Sequence, residues 1–133
     1  MPIQLYWEDT EKTVVRYDFQ GDWTWDDLYA VYYQAIEMEK SVPHRVDVIL
    51  DMGSSSRIPA NALLHIKFLS EKHAPNIGLC IIVSNSSFTI SMVNMALKVH
   101  QKIADYFRLV STLDEAHAMI DYARRTTAEK DAS

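Results

Sequence analysis

The feature that most constrains the fold is the apolar run from Ile77 to Val83, in which apolar and polar residues do not alternate. A strand with one face in water alternates the two kinds of residue, whereas a central strand of a parallel sheet is covered on both faces and is apolar throughout. The run therefore predicts a central parallel strand with helices packed on the sheet. Because it is far too short to span a bilayer, we expect no membrane span.

Strand and helix signals alternate along the rest of the chain. Thr24 followed by Asp27 predicts a capped helix start, and Thr112 followed by Glu115 predicts another. The predicted strands are residues 3–7, 13–19, 46–50, 77–83 and 107–110, and the predicted helices begin after residues 24, 59, 87 and 112. The third helix is expected to end at residue 106, and residues 52–58 are expected to form a flexible polar loop. This order, ββαβαβαβα, predicts an α/β fold with a mostly parallel β-sheet and an antiparallel edge strand.

Length and composition limit the domain count, the partners and the compartment. The 133 residues fit one domain, which we assign to residues 1–125, and residues 126–133 are expected to be a polar C-terminal tail. The net charge is −5, and Arg124-Arg125 is the one basic pair that stands out, so nucleic acid is not expected as a partner. The chain has one cysteine, Cys80, and its first residues lack the pattern of a secretory signal, which favours the cytoplasm.

Three stretches resemble the STAS family, which includes anti-sigma factor antagonists and the cytoplasmic part of sulphate transporters. They are residues 46–52 with the polar loop and helix that follow, residues 77–83 followed by Ser84-Asn85 and a helix, and residues 107–116 as a closing strand and helix. The SpoIIAA-like group of uncharacterised bacterial proteins fits about as well. The resemblance covers nearly the whole chain and implies a regulatory domain that signals by binding a partner.

One departure from that family concerns its phosphorylated serine. Regulatory STAS domains carry an Asp-Ser pair at the start of the helix after the Asp-bearing strand, and the corresponding pair here falls on Pro59-Ala60. Alanine has no hydroxyl, so we expect the usual phosphoserine switch to be absent. Ser54, Ser55 and Ser56 lie just upstream and form either a modifiable segment or a solvated turn.

Motifs for catalysis and metal binding are not found in the sequence. The five histidines do not form an HExxH pattern, and no nucleophile elbow, Walker loop or dinucleotide-binding glycine motif occurs. Cys80 lies in the middle of the apolar run and is expected to behave as a small core hydrophobe. We therefore expect no catalytic residue, no metal and no cofactor.

Polar side chains cluster where predicted parallel strands end, which is the edge at which α/β sheets usually hold ligands. Two predicted helix N-termini converge there and offer free N–H groups to an anion. The candidate ligand, anion or regulatory residues at this edge are Asp51, Ser54, Ser55, Ser56, Asn61, Ser84, Asn85, Ser86 and Ser87. The alternative is that these residues only cap their helices and turns.

The third predicted helix has more apolar surface than a helix lying on a sheet needs. Met92, Met95, Val99 and Tyr106 lie on the surplus flank and are the candidate interface for a protein partner or a homodimer. The alternative is that a neighbouring helix and loops cover this flank.

The sequence leaves more than one function open. The main hypothesis is a non-enzymatic STAS-like interaction or regulatory module that self-associates. The alternative is a small-molecule or anion-binding domain that uses the polar edge or the tryptophan-rich end formed by Trp7, Trp23 and Trp25. An enzyme with an unfamiliar site has no positive support in the sequence.

Overall fold

The computed structural model describes residues 2–55 and 57–132, and for residues 129–132 it describes the backbone alone. In this part of the chain the elements follow the order predicted from the sequence. They are β1 (Ile3–Trp7), β2 (Val14–Gly21), α1 (Trp25–Lys40), β3 (Val46–Ser55), α2 (Ala62–Ser70), β4 (Ile77–Val83), α3 (Ser87–Val99), a 3₁₀ helix (Gln101–Asp105), β5 (Phe107–Val110) and α4 (Leu113–Ala132).

The five strands form one sheet in the order β1-β2-β3-β4-β5. β1 pairs with β2 antiparallel, and the other three pairings are parallel, which confirms the predicted fold class. Crossovers between parallel strands are right-handed, so a sheet whose order never reverses places α1, α2 and α3 on the same face. α4 follows the last strand and packs on the opposite face.

The two faces of the sheet have different cores. Large aromatic side chains such as Tyr17 and Phe19 lie on the face covered by α1, α2 and α3. On the other face, the small side chain of Ala116 lets α4 pack closely on Ile49 and Ile81. The three-helix face therefore holds the bulkier and less regular packing.

Element bounds differ from the prediction at several places, and among them β2 runs from Val14 to Gly21 and not from 13 to 19, while α2 begins at Ala62 and not just after residue 59. β3 continues to Ser55, so the expected loop at residues 52–58 is wrong for its first four residues, because Gln20 and Gly21 of β2 pair with Ser54 and Ser55. The third helix stops at Val99 and not at residue 106, and the chain continues as a 3₁₀ helix. α4 extends through the polar C-terminal segment as far as Ala132.

A buried ion network holds the amino-terminal side of the sheet to α4. Asp47 is fully buried on β3, and its carboxylate accepts hydrogen bonds from Arg45, from Arg124 of α4 and from the backbone N–H of Leu79. The capping box at Thr24 and Asp27 is also present, since each side chain bonds the backbone N–H of the other residue. These contacts fix the elements around which the candidate site is built.

Candidate functional site

Several polar groups at the predicted edge of the sheet form hydrogen bonds within the protein. The Asp51 carboxylate accepts from Arg16 at 3.1 Å and from the backbone N–H of Gly53 at 3.0 Å. The Ser55 hydroxyl donates to the carbonyl of Met52. Ser54 is exposed, and Ser56 lies outside the described residues.

The residues before α2 and α3 at the same edge serve local roles. Ser86 caps α3 through the N–H of Thr89, and the hydroxyl of the buried Ser84 accepts from the N–H of Ser86. Asn61 precedes α2 in a left-handed conformation, with φ of 66° and no side-chain cap bond. The exposed residues of this group are Asn61, Asn85, Ser86 and Ser87. Because the strand order has no reversal, this edge also lacks the crevice that a topological switch point creates.

The four residues of the candidate interface on and after α3 differ in how far they are exposed. Met95 and Val99 are exposed. Met92 is partly buried against the three-helix core. Tyr106 follows the 3₁₀ helix, and its hydroxyl donates to the carbonyl of Ser70 at 2.7 Å.

An apolar cavity of about 110 Å³ lies between the sheet and the three helices. It follows β4 from Ile77 to Ile82, a path of roughly 17 Å at the rise of a strand. Its middle wall is formed by Tyr17 and Phe19 of β2, Val48, Leu50 and Met52 of β3, Cys80 of β4, Leu28 and Tyr32 of α1, Ile66 and Leu69 of α2, and Val93, Ala96 and Leu97 of α3. The cavity lies where side chains from these six elements meet.

Aromatic rings form the end of the cavity near the carboxyl ends of the strands. Trp23 and Trp25 meet edge to face with ring centroids 5.1 Å apart, and Trp25 stacks on His65 of α2 at 4.5 Å. The indole N–H of Trp25 donates to the carbonyl of Ala60, which ties the start of α1 to the loop before α2. The indole N–H of Trp23 is buried and has no acceptor among the described residues. Two residues of the tryptophan-rich end predicted from the sequence, Trp23 and Trp25, therefore line the cavity.

A buried carboxylic acid, Glu39, lies at the opposite end of the cavity. It belongs to the last turns of α1, is 3% exposed and forms part of the cavity wall. No described group donates a hydrogen bond to its carboxyl oxygens, and burial raises its pKa to about 8. Burial likewise raises the pKa of the Cys80 thiol and of the Tyr17 hydroxyl. Near neutral pH this end of the cavity therefore presents uncharged but polar groups.

A polar cleft of about 720 Å³ opens beside the Glu39 end, between α2 and the 3₁₀ helix. The cleft and the cavity share Ser70, His73, Ile103 and Tyr106 in their walls. The Tyr106–Ser70 hydrogen bond spans this shared wall. The cleft therefore adjoins the cavity at this wall, with Tyr106 between them.

Sequence reasoning did not single out Glu39, although the helical period carries a signal for it. Leu28, Tyr32 and Ala35 follow one face of α1, and Glu39 continues the same spacing of three and four residues. An acid at the centre of an apolar stripe must be buried if the stripe is buried. The position of Glu39 within the stripe therefore indicates a buried acid. Asp26 and Asp27 lie in the first turn of α1, where the helix dipole stabilises acids, and give no such indication.

Comparisons with known proteins give no family for this chain. A scan of family models and a search of curated proteins each find no match. Among the described residues, no group of three or more His, Cys, Asp or Glu side chains is placed to hold a metal ion. In the same residues, no helix combines the length and the apolar character that crossing a membrane requires.

Proposed function

We propose that this protein binds a small apolar molecule in the cavity between the sheet and helices α1, α2 and α3. The observation that carries the proposal is the cavity itself, whose wall consists almost entirely of aromatic and aliphatic side chains. Small-molecule sites are typically apolar pockets with a few placed polar groups. Glu39 and the indole N–H of Trp23 are such groups.

The size of the cavity indicates the size of the molecule. An engineered apolar cavity of about 150 Å³ in another protein stays dry and binds benzene. At about 110 Å³, the cavity here suits a single ring, or a short chain that extends toward the polar cleft. A larger ligand would have to move α2, of which Ala62 is the one buried residue.

Toluene titration by calorimetry tests this proposal. We expect a Kd on the order of 0.1–1 mM for the wild-type chain, as for a compact apolar ligand. Ala96 is 1% exposed and lines the cavity, so Ala96→Leu fills the space and should weaken toluene binding at least about tenfold while stabilising the fold.

The matched control is Ala30→Leu, which makes the same change on an exposed position of α1. It should bind toluene as the wild type does. A wild-type chain that does not bind toluene, or an Ala96→Leu variant that binds it equally well, would contradict the proposal.

Self-association through α2 and α3 is a second candidate function, in keeping with the STAS-like interaction module predicted from the sequence. The specific observation is that the two helices pack together and still expose large apolar side chains, which are Leu64, Phe68, Phe88, Met95 and Val99. Light scattering should then detect dimers at high concentration. Met95→Glu should weaken them, and Ser91→Glu, an exposed polar position on the same helix, should not; a monomer at every concentration would rule the dimer out.

A further inference from the structure

Glu39 distinguishes this cavity from a purely apolar one. Its side chain is 97% buried by area, since the residue is 3% exposed, and it forms the wall at one end of the cavity. A buried polar group normally has a hydrogen-bond partner, because leaving it without one costs roughly 1–3 kcal/mol. No described donor reaches the Glu39 carboxyl, so the fold itself does not explain an acid at this position.

Two of the neighbouring hydroxyl groups are already committed to other partners. The Tyr32 hydroxyl shares its one proton between the carbonyls of Leu69 and Lys72, and the Tyr106 hydroxyl donates to the carbonyl of Ser70. No lysine or arginine is among the described residues that line the cavity. A permanently charged cationic partner for Glu39 would therefore have to come from a molecule inside the cavity.

We propose that the ligand is a small apolar amine whose ammonium group lies against the Glu39 carboxyl. This inference rests on the proposed binding function and names the class of ligand. A hydrogen bond between an ammonium and a carboxylate is about twice as strong as one between neutral groups. The rings of Tyr17, Tyr32 and Tyr106 line the cavity, and aromatic faces attract cations.

Binding of an amine at this position releases a proton. Burial raises the Glu39 pKa to about 8, so the carboxyl of the free protein holds its proton at pH 6 to 7. The ammonium favours the ionised carboxylate, and the proton leaves to solvent. The amine affinity should therefore fall about tenfold for each pH unit between pH 8 and pH 6, while the affinity for a neutral ligand stays constant.

The other titratable groups that face this end belong to several elements. They are Tyr17 of β2, Tyr32 of α1, Cys80 of β4, His73 before β4 and Tyr106 before β5. Burial raises the pKa of the tyrosines and of the thiol, which keeps them neutral between pH 6 and 8. Imidazole groups in general titrate in this range, so His73→Gln is the control and should retain the pH slope.

The experiment compares toluene, benzyl alcohol and benzylamine, which share one ring, by calorimetry at pH 6, 7 and 8. We expect benzylamine to bind wild-type protein at pH 8 at least about tenfold more tightly than toluene. Glu39→Gln should remove this advantage and change toluene binding by less than about threefold, because the amide keeps the size of the side chain. Glu37→Gln, an exposed acid on the same helix, should behave as the wild type.

The outcomes separate this inference from the proposed function. Proton release, measured in buffers of different ionisation enthalpy, needs no variant, and about one proton per benzylamine at pH 6 would support the inference. Toluene binding with no preference for benzylamine, or with benzyl alcohol preferred, would overturn the inference and leave the proposed function intact. If none of the three binds, both fail.

Discussion

Two buried acids, Asp47 and Glu39, are accommodated in opposite ways. Asp47 is fully hydrogen-bonded, because Arg45, Arg124 and the backbone N–H of Leu79 donate to its carboxylate. Glu39 has no such partners and instead holds its proton more tightly. A fully satisfied buried carboxylate contributes to the architecture, whereas an unsatisfied one on a cavity wall is free to contact a ligand.

The raised pKa of Glu39 predicts a pH dependence of stability. Its pKa is about 8 in the folded protein and near the ordinary 4.5 when the chain is unfolded, so the folded state binds more protons between these values. Stability therefore falls as pH rises from 4.5 to 8. Relative to the wild type, Glu39→Gln should gain on the order of 3 kcal/mol between pH 5 and pH 8 in urea unfolding.

Glu37→Gln is the control for this measurement, since Glu37 is exposed and lies one half-turn away on α1. It should retain the wild-type pH slope. Identical slopes for the wild type and Glu39→Gln would show that Glu39 titrates as an ordinary surface acid.

At the scale of elements, α2 depends on contacts from its neighbours. It has nine residues, of which Ala62 is the one fully buried, and its last carbonyls accept from backbone N–H groups of the turn that follows and from side chains. The Tyr32 hydroxyl adds one further donor at this end, whose proton is shared between the carbonyls of Leu69 and Lys72. α2 is therefore the element of the three-helix face most able to move when a ligand enters.

Removal of the Tyr32 hydroxyl tests this dependence. Tyr32→Phe should speed amide hydrogen exchange in the second half of α2 about fivefold, because the lost hydrogen bond is worth roughly 1 kcal/mol. Tyr33→Phe removes the hydroxyl of the adjacent tyrosine, which is 48% exposed, and should leave the exchange rates unchanged. Equal exchange in both variants would mean that Tyr32 does not hold α2.

The sequence predicted elements well where neighbouring residues alone determine the element. The first and last strands have the predicted bounds, and the Thr24–Asp27 capping box is confirmed. The predicted end of β3 at residue 50 was wrong, because Ser54 and Ser55 pair with β2. This pairing is a contact between distant parts of the chain. The cavity likewise depends on how side chains from six elements fit together, which no single segment encodes.

For the whole molecule, the strand order determines which face of the sheet contains the cavity. A sheet that grows in one direction collects α1, α2 and α3 on one face, while α4 alone covers the other. The α4 face is closely packed and anchored by Arg124 to Asp47. The three-helix face contains the cavity, so the proposed ligand site and the closely packed α4 contact lie on opposite sides of one sheet.

An NMR titration of the ¹⁵N-labelled chain with toluene tests the central claim most directly, because each backbone amide reports on its own surroundings. We predict saturable shifts for amides that surround the cavity on β3, β4, α1, α2 and α3, with Cys80 and Ala96 among them, and none along α4. Shifts confined to the amides of Leu64, Phe68, Met95 and Val99, whose side chains are exposed, or to the amides of residues 84–87, would place the ligand elsewhere. That result, or the absence of any shift, would contradict binding in the cavity.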